Sequence, residues 1–261
     1  MADIEDIAEF NRQGWNAKAE GGDRWSIPVN AETIAAARRG EWEVVLTPSR
    51  PVPREWFGDI AGKDLLGLAS GGGQQCPIFA AAGANVTSFD ASDGQLARDT
   101  EVATREGLTI RTVRGLMHDL SVFADDSFDI IFHPCSNCFA PEILPVWREC
   151  ARVLRPGGVL LSGFTNPLRY LFDEASVEAG QPLARHKIPY SDFDLPEEER
   201  NAILAEDPVV VFAHTLQDQI GGQLAAGFML TDMFEDDFEE RDAIGQLIDC
   251  YIATRAELRP R

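Results

Sequence analysis

The stretch DLLGLASGGGQQCPIFAAAGANVTSFDAS, residues 64–92, decides the fold. It opens on an apolar run, continues through three consecutive glycines at residues 71–73, and then has a helical pattern over residues 75–82. A second apolar run, residues 85–90, ends at Asp90. A strand, a glycine loop, a helix and a second strand in this order predict a right-handed βαβ unit with parallel strands.

The same alternation continues beyond this unit. Ser92 and Gln95 have the spacing of a capping box, for a helix that ends near residue 106. A helix is also predicted over residues 141–154. Further strands are predicted over residues 109–114, 128–133 and 158–165. Strands that alternate with helices of this length predict an α/β fold built on a mostly parallel sheet.

The segments before and after this region have other patterns. Residues 1–61 contain two helical stretches, 4–19 and 31–39, and then the proline-rich TPSRPVPREW (47–56), which predicts an extended connector. Residues 166–207 lack the alternation and are predicted to be an irregular insertion.

The last third of the chain returns to strand-like patterns. VVVFAH (209–214) is predicted to be a strand, followed by a helix that Thr215 caps and Gly227 ends. Runs at residues 228–230 and 250–258 are predicted to be antiparallel, because the turn region between them is too short for a crossover helix. The whole pattern predicts seven strands, mostly parallel with one antiparallel strand.

Composition and charge exclude several classes of protein. Of the 261 residues, 44% are hydrophobic and 25% are charged, as in a folded protein with a sizeable core. The net charge of −20, from 43 acidic and 23 basic side chains, opposes binding to nucleic acid or to an anionic membrane. The acidic residues concentrate in residues 191–242, which predicts a solvated face there.

The chain also has the features of a cytoplasmic protein. No apolar run approaches the roughly 20 residues needed to cross a bilayer, and the acidic start MADIEDIAEF differs from a secretory signal. An odd number of irregularly spaced cysteines predicts free thiols in a reducing compartment. These cysteines are Cys76, Cys135, Cys138, Cys150 and Cys250. The choice between a monomer and a homodimer stays open.

The glycine loop and Asp90 together indicate a nucleoside cofactor. Glycines between a strand and a helix let a ligand approach the backbone, although a tight turn without a ligand has the same pattern. Asp90 lies 17 residues after Gly73, where a carboxylate accepts hydrogen bonds from a ribose, and its alternative role as a helix cap is already filled by Ser92. The dinucleotide fingerprint fails, because its third glycine is replaced by Cys76 and Pro77 follows.

With these motifs the chain resembles the class I S-adenosylmethionine-dependent methyltransferases, in particular the quinone-biosynthesis and small-molecule branch. The matching segments are LLGLASGGG, Asp90, GLMHDL (115–120), SFDIIFH (127–133) and WRECARVLRPGG (147–158). The resemblance implies a Rossmann-like domain over residues 62–261 behind the N-terminal helical segment. It also implies S-adenosylmethionine as the cofactor and a small molecule as the methyl acceptor, with in-line displacement at the activated sulfonium.

The resemblance implies the cofactor contacts as well. These are Trp25, Ala69, Ser70, Gly71, Gly73, Gln74, Asp90, Ala91, Met117, His118, Asp119, His133 and Pro134. Trp25 belongs to a predicted apolar lid with Trp15, Tyr170 and Phe172, for which ordinary core packing is the alternative. No metal site is predicted.

Three positions depart from the family pattern. Gly67 stands where relatives have an acidic residue, Ala69 replaces the first glycine of the motif, and Leu116 replaces the residue that contacts the adenine amino group. A carboxylate near the cofactor's ammonium group therefore comes from another element or is absent.

Two histidines are candidates for a general base, which is needed only if the bound nucleophile carries a proton. His214, at the end of the strand after the insertion, is the first candidate and His133 the second, and each has a packing role as its alternative. Cys135 and Cys138 form a C-x-x-C pair, but no second pair of ligands completes a zinc site and the pair does not begin a helix as in redox motifs.

Two other functions stay open. A nicotinamide-dependent reductase is opposed by Cys76 and Pro77, and a protein that binds S-adenosylmethionine without turnover is compatible with Gly67 and Leu116. The sequence does not identify the acceptor or the atom that is methylated.

Overall fold

The computed structural model describes residues 4–260. It places seven strands in one sheet and two short strands, Tyr190–Ser191 and Phe212–Ala213, in a second. The strands are β1 (Asp64–Leu68), β2 (Asn85–Asp90), β3 (Ile110–Arg114), β4 (Phe128–His133), β5 (Leu154–Thr165), β6 (Tyr190–Ser191), β7 (Phe212–Ala213), β8 (Phe228–Asp236) and β9 (Tyr251–Leu258). The α-helices are α1 (Ile4–Gly21), α2 (Ala31–Arg38), α3 (Gln75–Ala81), α4 (Asp93–Glu106), α5 (Leu144–Val153), α6 (Glu174–Glu178), α7 (Glu197–Glu206) and α8 (Gly222–Ala225).

The order of strands in the sheet is β3-β2-β1-β4-β5-β9-β8. β9 runs antiparallel to both of its neighbours, and the other pairs are parallel, so the predicted sheet is confirmed. The strand order reverses between β1 and β4. In sheets of this kind, ligands bind outside the carboxyl ends of the strands at such a reversal.

The central strands are apolar because helices cover both faces of the sheet. In β4, Ile130 packs into one core with Phe79 of α3, and Ile131 packs into the other with Trp147 of α5. No helix among residues 4–260 combines the length and apolar character needed to span a membrane.

The N-terminal segment packs against the sheet domain through α1 and α4. The side-chain oxygen of Asn16 accepts hydrogen bonds from the Ser92 hydroxyl (2.7 Å) and the Gly94 amide (2.9 Å) at the start of α4. Asn11 bonds both the amide and the carbonyl of Val210, which ties α1 to the end of the insertion.

The prediction of a strand over residues 209–214 (VVVFAH) is wrong for most of that range. Only Phe212 and Ala213 form a strand, and it pairs with β6 outside the main sheet. The preceding amides bond side chains instead of a neighbouring strand: the Val210 amide donates to Asn11 and the Val211 amide donates to Asp192.

The predicted extended connector folds back on itself. Val45 and Pro51 form an antiparallel bridge, and the turn between them is held by Asp236. One oxygen of Asp236 accepts hydrogen bonds from the Thr47 hydroxyl and from two backbone amides in this turn.

One helix start and one capping interaction also differ from the prediction. The helix predicted from residue 141 begins at Leu144, after a 3-10 turn at Asn137–Phe139. Ser92 caps α4 as predicted, but the Gln95 side chain donates to the Ser26 hydroxyl (2.6 Å) and not back to Ser92.

Candidate active site

The glycine loop joins β1 to α3 at the carboxyl edge of the sheet. Ala69 has a φ of +48° and Gly72 a φ of +111°, so both lie in the region that favours glycine. A Cβ on Gly72 would overlap the carbonyl oxygen of Trp25. The loop therefore has room for the N-terminal segment only because this residue has no side chain.

The amides of the three glycines all bond within the protein. Gly71 donates to Asp90 Oδ2 (3.1 Å), Gly72 to the carbonyl oxygen of Gln95 (3.0 Å), and Gly73 to Asp99 Oδ1 (2.9 Å). A pyrophosphate site needs such amides free to face the phosphate oxygens. This bonding argues against the nicotinamide dinucleotide alternative.

Asp90 projects from the end of β2 into the cavity beside the loop. Its Oδ1 accepts the amide of Ser92 (2.9 Å), as its Oδ2 accepts that of Gly71. Each oxygen keeps a lone pair for a further donor. Burial raises the pKa of the Asp90 carboxyl, and the backbone hydrogen bonds oppose that shift.

The cavity has a volume of about 340 Å³ and extends from the ends of β1 and β2 past β4 toward β5 and β9. Ten of the predicted cofactor contacts line it: Trp25, Ala69, Ser70, Gly71, Gln74, Asp90, Ala91, Met117, His118 and Pro134. Trp15 and Tyr170 of the predicted lid also line it, whereas Phe172 does not.

Three predicted contacts do not reach the cavity: Gly73, Asp119 and His133. Gly73 turns its amide to Asp99 behind the loop. Asp119 lies exposed in the next turn, where its carboxylate accepts the Ser121 amide (3.0 Å), and hydrogen bonds from Ser121 lower its pKa. Leu116 lines the wall beside Met117.

His133 is fully buried at the end of β4 and does not line the cavity. Its Nδ1 donates to the carbonyl oxygen of Leu68 (2.9 Å), and its ring packs edge-on against Trp147. Burial lowers its pKa to about 4. This geometry favours a packing role for His133 over contact with the cofactor or the acceptor.

His214 also lies outside the cavity lining. Its Nε2 donates to the carbonyl oxygens of Ala140 (3.0 Å) and Asn137 (3.3 Å), and burial lowers its pKa. Because Ala140 lines the cavity, His214 holds part of the wall in place. The geometry does not support the predicted role as a base.

The far end of the cavity has hydroxyl and thiol groups, of which only Tyr170 lies in the insertion that is expected to shape the acceptor pocket. They belong to Cys135, Cys138, Thr165, Tyr170 and Tyr251. Cys135 Sγ lies 3.5 Å from the Thr165 hydroxyl. Burial raises the pKa of Cys135 to about 11 and raises that of Cys138 and Tyr170 well above their ordinary values, so these groups are neutral.

One signal for these residues was available in the sequence. Residues 158–165 and 250–258 are both predicted strands, and the structure pairs them as antiparallel neighbours with Thr165 opposite Tyr251, at the edge of the sheet where β4 also ends. The wall formed by Val45, Leu46, Thr47 and Pro48 had no such signal. In residues 4–260, no group of three or more His, Cys, Asp or Glu side chains could hold a metal ion.

The lining fits a cofactor that has a nucleoside but no pyrophosphate. Asp90 offers lone pairs at the position of a ribose, the loop leaves space above Gly71, and Met117 and Pro134 supply apolar walls for a purine. The fold and this site define an α/β protein of the S-adenosylmethionine-binding class.

Comparison with known proteins identifies the family. Residues 66–162 match the model of the methyltransferase domain. The chain is 45% identical over 251 residues to an uncharacterized methyltransferase, YbaJ, of Bacillus subtilis, across 96% of this chain and 98% of that protein. The chain therefore belongs to the S-adenosylmethionine-dependent methyltransferases.

Solved structures agree on the fold. An S-adenosylmethionine-dependent methyltransferase of Mesorhizobium loti has a TM-score of 0.60 at 18% identity, covering 78% of this chain and 94% of its own. A putative S-adenosylmethionine-dependent methyltransferase of Listeria monocytogenes has a TM-score of 0.58 at 16% identity, covering 86% of this chain and 99% of its own.

Proposed function

We propose that the protein methylates a small, uncharged molecule, which binds at the β5 and β9 end of the cavity. The observation that carries this proposal is the continuity of one cavity, from the residues around Asp90 to the neutral groups around Tyr251. A molecule bound beside Tyr251 would face a cofactor bound over Asp90 with no protein between them.

The cofactor, when bound, supplies a methyl group on an already activated sulfonium. We assign the ribose to Asp90, the adenine to Ala91, Met117 and His118, and the amino-acid tail to the loop at Ala69 and Ser70. Trp25 and Gln74 cover the loop, since the Gln74 side chain donates to the carbonyl oxygens of Arg24 and Ile27 in the N-terminal segment. These contacts hold the donor in one orientation and exclude water, which are the main requirements for an in-line transfer.

The acceptor end of the cavity combines aromatic walls with neutral hydrogen-bonding groups. Trp15 and Phe139 pack edge to face at 5.1 Å on one side, and Tyr170 and Tyr251 lie on another. Charged side chains at the rim are already paired: Arg12 bonds Glu9 and Asp93, and Asp207 pairs with Lys18. A charged acceptor would lose its hydration here without gaining a partner.

No histidine or lysine lines the acceptor end. We therefore propose that the attacking atom needs no base from the protein, as for a neutral amine. Tyr170, Tyr251 and Thr165 would orient the acceptor by hydrogen bonds, and alignment would provide most of the rate enhancement.

The proposal is tested with the purified chain, methyl-labelled S-adenosylmethionine and a cell extract separated by molecular size. We expect label in a product of the low-mass fraction, identified by mass spectrometry, and no heat of binding with NADH in calorimetry. Label in the macromolecular fraction would overturn the small-molecule acceptor. Binding of S-adenosylhomocysteine with no product in any fraction would favour a protein that binds the cofactor without turnover.

We also propose that the protein acts in the cytoplasm. Its support is the strongly acidic composition and the absence of disulfides among the described residues, in which all five cysteines are free.

A further inference from the structure

Asp99 is a buried carboxylate directly behind the glycine loop. It lies on α4, is fully inaccessible to solvent, and does not line the cavity. Its Oδ1 accepts the Gly73 amide (2.9 Å) and its Oδ2 accepts the Ser88 hydroxyl (2.6 Å). One side chain therefore connects α4, β2 and the end of the loop.

The strand β1 provides no carboxylate of its own beside the loop. The family pattern has an acidic residue at Gly67, but here a Cβ on Gly67 would overlap Cys76 Sγ. Cys76 is itself fully buried, and its Sγ lies 3.7 Å from the carbonyl oxygen of Ser70 in the loop. The strand β1 therefore has no room for an acid at this position, and Asp99 contacts the loop from the α4 side.

We propose that Asp99 is a positioning residue for the cofactor and that its ionised form holds the glycine loop in the binding conformation. The proposal rests on the assignment of the loop to the cofactor. A carboxylate accepts a hydrogen bond from an amide about twice as strongly as a neutral acid does. Loss of the charge would therefore loosen Gly73 and the residues before it.

The surroundings of Asp99 place its ionisation in the physiological range. Burial raises the pKa of Asp99 to about 7, while the hydrogen bonds from Ser88 and Gly73 favour the charged form. The other titratable groups around it are Asp90 on β2, which raises the pKa of Asp99 further, and the neutral thiol of Cys76 on α3. We expect the affinity for the cofactor to rise with pH as Asp99 ionises.

Calorimetric titration with S-adenosylhomocysteine between pH 6 and pH 8.5 tests the proposal. Since His118 also lines the cavity, all variants are made in a His118→Gln background. Asp99→Asn should lower the affinity about fivefold to tenfold at pH 8 and remove its rise near pH 7. Thermal unfolding establishes that the variant is folded.

Asp192 offers a matched control. It is 1% exposed, it accepts one hydroxyl (Tyr190) and one amide (Val211), and burial raises its pKa, but it lies in the insertion. Because Asp192 bonds Val211 of the cavity wall and not the glycine loop, Asp192→Asn should change the affinity by less than Asp99→Asn does and should leave its pH dependence unchanged. An equal effect of both variants would overturn the proposal.

Ser88→Ala provides a second, milder test. Removing a hydrogen bond that favours the ionised form should move the midpoint of the pH dependence upward while Asp99 remains. An unmoved midpoint, or an Asp99→Asn variant that keeps the pH dependence, would also overturn the proposal. If S-adenosylhomocysteine does not bind the unmodified chain at all, the assignment of the cavity is at fault and not the role of Asp99 alone.

Discussion

Cys76 Sγ occupies the space that a side chain on Gly67 would need. Gly67 lies within β1, and Cys76 is in the first turn of α3, so the contact joins the strand and the helix on either side of the glycine loop. The absence of an acid at Gly67 and the cysteine at the position of the third glycine are therefore one structural feature, not two.

The first prediction concerns this pair. Gly67→Ala should lower the free energy of unfolding by about 1 to 3 kcal/mol, because a methyl group is forced into a packed core. In Gly67→Ala/Cys76→Ala the added methyl gains room, so the double variant should lose less than the sum of the single variants. Urea denaturation measures all three. Gly21→Ala, where a Cβ meets nothing within 4 Å, is the control, and strict additivity would contradict the packing argument.

The second prediction concerns Asp90. Asp90→Ala should weaken S-adenosylhomocysteine binding by roughly tenfold to over a hundredfold, because each hydrogen bond to a charged acceptor contributes about 1.5 to 3 kcal/mol. The variant should also lose some stability, since Asp90 accepts two backbone amides. Asp93→Ala, which removes an exposed carboxylate three residues later, serves as the control in the same calorimetric assay. Equal affinity of the Asp90 variant and the unmodified chain would place the ribose elsewhere.

The third prediction concerns the contribution of His133 to the stability of the protein at acidic pH. The pKa of His133 is lowered in the folded chain to about 4, so the unfolded chain takes up a proton first as the pH falls. The neutral, buried His133 makes its full contribution to the free energy of unfolding above about pH 6.5. That contribution should decline by roughly 3 kcal/mol as the pH falls toward about 4. Unfolding in urea at several pH values should show a shallower acid decline in His133→Gln. His186→Gln, in the insertion, should keep the decline of the unmodified protein, and an identical slope in all three proteins would show that His133 does not stay neutral.

The fourth prediction tests whether His214 supports the cavity wall or acts as a general base. His214→Gln should raise the Michaelis constant for the acceptor several-fold through displacement of Ala140, while cofactor affinity and the pH profile of turnover stay the same. The measurement is steady-state methyl transfer from pH 6 to pH 9. A loss of turnover by about 10² or more, with a changed pH profile, would instead restore His214 as the base.

The fifth prediction concerns the thiols of the cavity. With the pKa of Cys135 raised to about 11 and that of Cys138 also raised, little thiolate exists at neutral pH. Alkylation by iodoacetamide at pH 7.5 should therefore be about a hundredfold slower in the native protein than in urea at Cys135, and should also be slower at Cys138. Peptide mass spectrometry follows each site. Rapid native modification of Cys135 or Cys138 would point to an activated thiol pair.

The sheet and the cofactor end of the site could be predicted because their signals are local. Buried parallel strands are continuous apolar runs, and the loop and Asp90 are adjacent in the sequence to the strands that position them. The orientation of the two histidines could not be predicted, for the opposite reason. A strand-end position does not fix where a side chain points, and both His133 and His214 turn to backbone carbonyls.

The walls of the cavity depend on contacts that no local pattern encodes. The backbone of VVVFAH is bonded by Asn11 and Asp192, which lie far away in the sequence, so a strand-like composition did not produce a strand in the sheet. Likewise, Asp236 folds the proline-rich segment over the cavity from the opposite end of the chain.

The close approach of Trp25 to Gly72 links cofactor binding to the docking of the N-terminal segment. Any free energy that the cofactor gains from Trp25 must reappear as added stability of the docked segment, since linkage between two binding events is reciprocal. Occupancy of the cavity would thus slow proteolysis of the first thirty residues.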